Sequence, residues 1–566
     1  ASLLMVPSTY EPGKLYNVLP SGNRAPDNKG GAGYDQTRAD FDFDRGSNAA
    51  ATRIGSDGLL KKYQENKLLQ SNQFDTTWVN YQSAETGGQP DKDGGNTAWK
   101  LTRLVDGANS VIYQTGLSYS LATYSVYAKA AEENWIYIEG VGSTYPAQFF
   151  DLQNGVKGTA SGVGFVDSSI TSVGGGWYRI SITFNISGGN RVSIYQATAD
   201  NTLSGSIGDG VYIMNAQLES GLCSTEYLNS TSTTGKSGVL IDLPRINYDA
   251  NGENGSLLLE SSRVNLVTQS EYINDATWGK NAIGATLNVT SNYGISPDGS
   301  ENATRIQASL TGGYADIVQV IGVSSGSSYT YSVYLKSLSG TPTISFLNDG
   351  IANRLVTLTT EWKRYTFVIP SAGSLAYPRF LLENNVTSSS ADFLAWGAML
   401  EQGNYITSYI PTMGTAQTRA ADSCSVTGAS DVIGQTEGTM FVDVDRTLVN
   451  AGGQFFTLGN GTDEIAMQFS TSTANLLQCY VYIGSAFPVL IENTFTTSGN
   501  LKIAFAYKAN DFVVYVNGTQ VGVDTSGSVP TCSICKLINS ANLETKKATL
   551  FKERLTNAEL ATLTTL

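Results

Sequence analysis

A repeat of long period constrains the fold of this chain more than any other feature. One copy opens on Leu68-Leu69-Gln70-Ser71-Asn72-Gln73-Phe74 with Trp78 beyond it; the other opens on Asn265-Leu266-Val267-Thr268-Gln269-Ser270-Glu271-Tyr272 with Trp278 beyond. Tyr124-Ser125-Val126-Tyr127-Ala128-Lys129 then answers Tyr331-Ser332-Val333-Tyr334-Leu335-Lys336, and Trp177-Tyr178-Arg179-Ile180 answers Trp362-Lys363-Arg364-Tyr365. Each copy closes on Ala216-Gln217-Leu218-Glu219-Ser220-Gly221 or Ala398-Met399-Leu400-Glu401-Gln402-Gly403, followed at one shared offset by Tyr227 or Tyr409. Matches that keep their order this way define two homologous modules. Their apolar period is two: Tyr178, Ile180, Ile182, Phe184 and Ile186 alternate with Arg179, Ser181, Thr183 and Asn185, and Tyr365, Phe367 and Ile369 repeat the pattern more weakly. That period predicts strands buried on one face. Short strands with Gly-, Ser- and Asn-rich spacers predict antiparallel sandwiches of jelly-roll type.

Composition narrows the chemistry. The 566 residues hold no histidine, which removes Ser-His-Asp and Cys-His nucleophile systems, His-ligated zinc and the usual proton shuttle near neutral pH. A formal net charge of −14 disfavours binding to a phosphate backbone, so no nucleic-acid partner is expected. No run approaches the roughly 18 apolar residues of a membrane span, and no membrane insertion is expected. The opening Ala-Ser-Leu-Leu-Met-Val lacks the basic flank and length of a signal peptide. Synthesis in a cytoplasm without export by the usual route is therefore expected, provided Ala1 follows a removed initiator Met. Five cysteines are too sparse for a disulfide scaffold, and Cys532-Ser-Ile-Cys535 has no second pair to complete a zinc site.

Beyond Gly414-Thr415-Ala416-Gln417-Thr418-Arg419 the character changes: all seven Trp lie before it. Leu501, Ile503, Phe505 and Tyr507 alternate, Asn517-Gly518 predicts a hairpin after Phe512–Val516, and Thr556-Asn557-Ala558-Glu559 predicts a capping box opening a short helix through Leu560 and Leu563. The first 66 residues, with Asn28-Lys29-Gly30-Gly31-Ala32-Gly33 among them, read as an extended docking arm or small accessory domain. The spans are thus 1–66 for the arm, 67–234 and 265–420 for the modules, 235–264 for a linker, and 421–566 for a third unit.

The segments at Phe74/Trp78, Tyr124–Lys129, Trp362–Phe367 and Ala398–Gly403 resemble jelly-roll carbohydrate-binding modules of polysaccharide-degrading enzymes. Glu437-Gly438-Thr439-Met440 onward, with Tyr515-Val516-Asn517-Gly518 and Leu555-Thr556-Asn557-Ala558-Glu559-Leu560, resembles a laminin-G/concanavalin-A-like lectin domain. The order of segments resembles bacteriophage tail and fibre proteins: Phe43-Asp44-Arg45-Gly46-Ser47 and Ala51-Thr52-Arg53-Ile54 before Asp57-Gly58-Leu59, then Pro244-Arg245-Ile246-Asn247-Tyr248-Asp249, Leu257-Leu258-Leu259-Glu260 and Asn265-Leu266. In this chain the first module stands between those two pieces. The resemblance implies an all-β virion protein, with two tandem jelly rolls, a concanavalin-A-like sandwich and an extended N-terminal arm that attaches to other virion proteins. It would adsorb to host-surface glycans as a homo-oligomer and carry out no reaction. The alternatives are a capsid decoration or scaffold protein with purely structural sandwiches, and a polysaccharide depolymerase.

Sugar recognition needs flat aromatic faces beside hydrogen-bonding side chains. Trp78, Trp278, Trp177 and Trp362 occupy repeated positions and read as framework. Trp135, flanked by Glu132, Glu133 and Asn134, is the first candidate for an exposed platform, with Trp99 and Trp396 after it, since none of the three has a Trp counterpart in the other copy. Asp91/Asp93 and Glu132/Glu133 read as solvated loops and not as the facing carboxylates of a glycosidase. No cofactor is expected. The last-strand stretches Tyr212–Asn215 and Leu394–Gly397 lack the carboxylate of a jelly-roll calcium site. Asp443, Asp445, Asn460, Asp463 and Glu464 supply oxygen enough for a structural calcium, without diagnostic spacing.

Overall fold

The computed structural model describes residues 1–7, 16–17, 42–249, 251–253, 255–348, 352–446, 452–495, 499–538 and 543–566. These residues form an all-β protein of several sandwiches, with a single short helix among them.

In the first module two long strands, Val111–Ala130 and Trp177–Ala197, pair antiparallel and bend from one leaf of the sandwich into the other. Their near ends join Gly210–Ser220, Ala98–Arg103, Ser83–Gln89 and Phe165–Gly174; their far ends join Trp135–Val141, Ala147–Asp151, Val156–Ser161 and Val79–Tyr81. The bend falls where the ladder slips between Thr115 and Leu121. A Cβ on Gly189 would stand 2.1 Å from the Tyr119 ring, so only glycine permits this corner. Ile180, Ile182 and Phe184 are fully buried in the core with Tyr124, Val126 and Ile213, as the period of two predicts.

The second module repeats the plan with a different bent pair, the hairpin Gly279–Gly294 and Ala303–Val318. Its repeated residues rebuild the same polar framework. Asn66 Nδ2 donates to the carbonyls of Ala216 and Leu228 while its Oδ1 accepts from Leu68 and Leu218 N–H. Asn265 makes the matching four bonds, to Ala398, Ile410, Val267 and Leu400. Trp78 and Trp278 are buried and donate from Nε1 to the carbonyls of Gln70 and Gln269. Ser71 and Tyr227 share a 2.6 Å hydrogen bond, as do Ser270 and Tyr409. The closing glutamates, Glu219 and Glu401, each accept from a threonine's N–H and hydroxyl, Thr225 or Thr407, and burial pushes both carboxyls up.

The third sandwich takes strands from three parts of the chain. One sheet runs Ile246–Asn247, Ser256–Leu258, Glu544–Phe551, Glu437–Arg446, Gly499–Lys508, Asp511–Val516, Thr519–Asp524, with Leu3–Met5 also paired to Glu544–Phe551. The facing sheet begins Asp42–Asp44, Ser423–Thr427, Ile534–Leu537 and ends at Ala486–Thr494. The expectation of an extended N-terminal arm is therefore corrected at its described residues: Leu3 and Met5 are wholly buried in this core, and Phe43 is nearly so. The linker span 235–264 likewise supplies two strands of the sheet. Asn28–Gly33 lies outside the described residues. The Asn517-Gly518 hairpin and the Thr556/Glu559 capping box form as the sequence predicts, and Leu560 of the helix Asn557–Thr564 seats on Phe441, Ala504 and Val513.

Between the modules and the third sandwich lies a buried ion cluster. Arg245 Nη1 meets Glu260 at 2.8 Å and its Nη2 bonds Asp422; Arg419 reaches Glu260 at 3.1 Å, and Arg45 reaches Asp422 at 3.3 Å. Burial pushes the Glu260 carboxyl up, but Arg419 and Arg245 outweigh it and hold it at about 2. Arg45, Arg245 and Glu260 belong to the segments whose order carries the tail-fibre resemblance.

Candidate functional site

The outward, polar side of the first module's near leaf forms a groove of ≈ 690 Å³. The alternation that buries Ile180, Ile182 and Phe184 turns Arg179, Ser181 and Thr183 to the other face. Neighbouring strands add Tyr127 and Asp167 to Thr171. The floor is a fixed mat of hydroxyls: Ser169 and Ser181 are 2.7 Å apart, Thr123 and Thr183 2.8 Å, and Thr183 Oγ1 donates to the Leu222 carbonyl at 2.9 Å. Arg179 stands over the Tyr127 ring, 5.4 Å from its centroid, and donates from Nη2 to Ser125 at 3.2 Å. Lys92 approaches the same ring at 5.0 Å. These contacts pin the guanidinium and phenol before any ligand arrives.

The wall opposite comes from the second module. Asn292 Nδ2 donates to Asp167 at 3.0 Å and to the Leu222 carbonyl at 2.8 Å, and Glu301 lies beyond it. Arg179 Nε and Asn292 Oδ1 are enclosed with no protein partner, as is the Nε of the equivalent Arg364 in the second module. Lys157 donates to the Ser168 carbonyl. Such a surface can bond a hydroxyl-rich ligand in both directions, donating and accepting.

The sequence-predicted platforms do not come together here. Trp396 is fully enclosed, between Tyr409 at 4.8 Å and Tyr334 at 5.7 Å, so it presents no face to solvent and is withdrawn as a platform. Trp135 opens the strand Trp135–Val141, paired with Asp151 and Ala197, and a Cβ on Gly158 would come 2.6 Å from its ring. Its supposed polar turn is partly interior, because Glu133 is buried on Arg103. Trp99 is half-buried and edge-on to Phe74, donating from Nε1 to the Asn72 carbonyl at 3.0 Å. The groove residues Tyr127, Arg179, Asp167 and Asn292 were missed as site residues. For Tyr127 and Arg179 the signal was the polar half of the strand alternation and the Tyr–Arg pair present in both repeats.

Asp91 organises its own turn, accepting from the N–H of Asp93 and Gly95, and Glu132 pairs with Lys100 at 2.7 Å. The calcium candidates divide between sheets: Asp443 and Asp445 lie on Glu437–Arg446, whereas Asn460, Asp463 and Glu464 sit at the start of Glu464–Phe469 in the facing sheet. Among the described residues no cluster of three or more His, Cys, Asp or Glu is placed to hold a metal.

No family model matches the sequence, and no curated protein does. Among solved structures the chain is similar to the CBM40 of Ruminococcus gnavus IT-sialidase bound to α2,3-sialyllactose, at 13% identity and a TM-score of 0.22, covering 24% of this chain and 87% of that one. It is similar also to the N-terminal CBM22-1–CBM22-2 tandem of Paenibacillus barcinonensis Xyn10C, at 10% identity and a TM-score of 0.21, covering 63% and 100%. Domains LG4-5 of the mouse laminin α1 chain match at 9% identity and a TM-score of 0.17, covering 50% and 96%. At these scores the likenesses decide neither fold nor function.

Proposed function

We propose that this chain is a non-catalytic glycan-binding protein that works through the groove on its first module. One observation carries the reading: a preformed groove lined mainly by hydroxyl, amide, carboxylate, ammonium and guanidinium groups, with Ile170, Val173 and Leu222 as its apolar part and Arg179 fixed over the Tyr127 ring. Burial raises the Glu219, Glu401 and Glu271 carboxyls, each is engaged by framework hydrogen bonds, and none of them lines the groove, which favours binding over hydrolysis there.

The finer reading is a virion tail or fibre protein that adsorbs to a bacterial surface, presented in several copies so that weak single-site affinity becomes avidity. Its support is the order of Phe43–Ser47, Ala51–Ile54, Pro244–Asp249 and Leu257–Glu260, together with the joining of those segments at the Arg245–Glu260–Asp422 cluster. Attachment to other virion proteins and homo-oligomerisation belong to this reading.

A glycan array probed with the full chain tests the coarser proposal. Binding is expected, and Arg179→Ala is expected to weaken it about tenfold, the size of one charged hydrogen bond. Binding indifferent to Arg179 would overturn the assignment of the groove, and release of reducing ends from a bound polysaccharide would overturn the non-catalytic reading. Mass spectrometry of purified phage particles tests the virion assignment.

A further inference from the structure

Beside the groove lies a second hollow, a cleft of ≈ 530 Å³ formed jointly by the two modules and by residues 49–51 and 62–65, which flank the hairpin Thr52–Ile54/Leu60–Lys62. Leu222 and Cys223 border both hollows; Glu301 faces the groove while its neighbours Ser300 and Asn302 face the cleft. The ridge between them is fixed: Leu222 is buried, its carbonyl accepts from Thr183 of the first module and Asn292 of the second, and Cys223 stands partly exposed as its crest. Asn302 is 1% exposed, and its Oδ1 has no protein partner. Its Nδ2 is already given to Glu271 at 3.3 Å. The rest of the lining mixes Tyr63, Ser120 and Met413 with Glu65, Lys67 and Glu219, which offers apolar surface, hydroxyls and charge together.

The geometry points to one continuous binding track, running from the Tyr127–Arg179 groove over the Leu222–Cys223 ridge into the inter-module cleft. It would take an extended oligosaccharide chain and not a single terminal sugar. Each hollow alone falls within the ~300–1,000 Å³ of an ordinary small-ligand site, so together they exceed what one ring fills. Each also holds a buried polar atom with no protein partner, Asn292 Oδ1 in one and Asn302 Oδ1 in the other. This inference rests on the glycan-binding reading of the groove.

Calorimetric titration of the full chain with ladders of two to six units tests it, using β-1,4-linked glucose, xylose and N-acetylglucosamine and a size-fractionated digest of a bacterial capsule. Affinity is expected to rise at least tenfold from the shortest to the longest member of the ladder that binds. Ser120→Trp, at an exposed position on the cleft, should abolish that rise and leave the shortest member bound as in the parent; Tyr63→Ala should reduce it. Equal affinity for short and long members, or a Ser120→Trp variant that keeps the full rise, overturns the continuous track while the groove reading stands. If no ladder binds, or binding survives Arg179→Ala unchanged, the groove reading falls and the track with it.

Discussion

The two modules share a framework bond for bond, yet the same face of each has a different fate. Arg179 stands 5.4 Å over Tyr127 and bonds Ser125; Arg364 stands 5.5 Å over Tyr334 and bonds Ser332 at 3.0 Å. In the first module that pair lines an open groove. In the second the hairpin leans over it: Ile54 and Leu60 join the cluster of Tyr334, Trp362 and Trp396, Arg364 also donates to the Thr407 carbonyl at 2.9 Å, and only a smaller hollow of ≈ 210 Å³ is left beside the pair. At the position of Trp396 the first module carries Met214, packed on Trp177 and Ala98. A duplicated domain thus keeps its internal bonds, while the segments outside it decide how far each copy's polar face is covered.

If the frameworks are equivalent, they should break equally. Asn66→Ala and Asn265→Ala each strip two backbone N–H groups and two carbonyls of their partner. At roughly 1–3 kcal/mol per buried orphan, each is expected to lose about 4 kcal/mol from its own module's calorimetric transition. Unequal losses would break the comparison. The hairpin should be separable from the framework. Lys62 ties the hairpin to the second module through Asp298 at 2.8 Å and Glu271 at 3.0 Å. Lys62→Met leaves both carboxylates buried and uncompensated, at about 3 kcal/mol. That loss is expected in the second module's transition alone. A loss of equal size in the first module would show that the hairpin supports both.

Much of this was legible in the sequence and some was not, for physical reasons. The period of two located Ile180, Ile182 and Phe184, and repetition marked Trp78 and Trp278 as framework, because both signals are local or duplicated. Leu3–Met5 could not be read as a strand of the third sandwich: three residues carry no period, and Leu3 pairs with Leu550 at the far end of the chain. The burial of Trp396 depends on Ile54 and Leu60, which belong to neither copy of the repeat. The groove's polar floor was visible as the Arg179/Ser181/Thr183 alternation. Asn292 was not, since it reaches the groove only after the two modules dock.

Acid should sharpen the contrast by its smallest term. Burial pushes the Asp298 carboxyl up, but the Lys62 ammonium outweighs it and holds it at about 2; burial pushes its neighbour Glu271 up. The two act in different windows. The folded state binds the Glu271 proton more readily than the unfolded chain does, so as pH falls the second module gains stability until about pH 4.3 and nothing further below it. Asp298 contributes fully above about pH 4 and surrenders on the order of 2 kcal/mol as pH drops toward 2. The hairpin should therefore loosen only below about pH 4, seen as faster amide exchange in Thr52–Lys62 after correction for the intrinsic rate. Asp298→Asn should remove that acid step. In the first module Glu133, Glu139 and Glu219 are all pushed up by burial, so acid removes no stability through them. A step that persists in Asp298→Asn would place the acid-sensitive contact elsewhere, with Glu260 beneath the same hairpin the next carboxylate to replace.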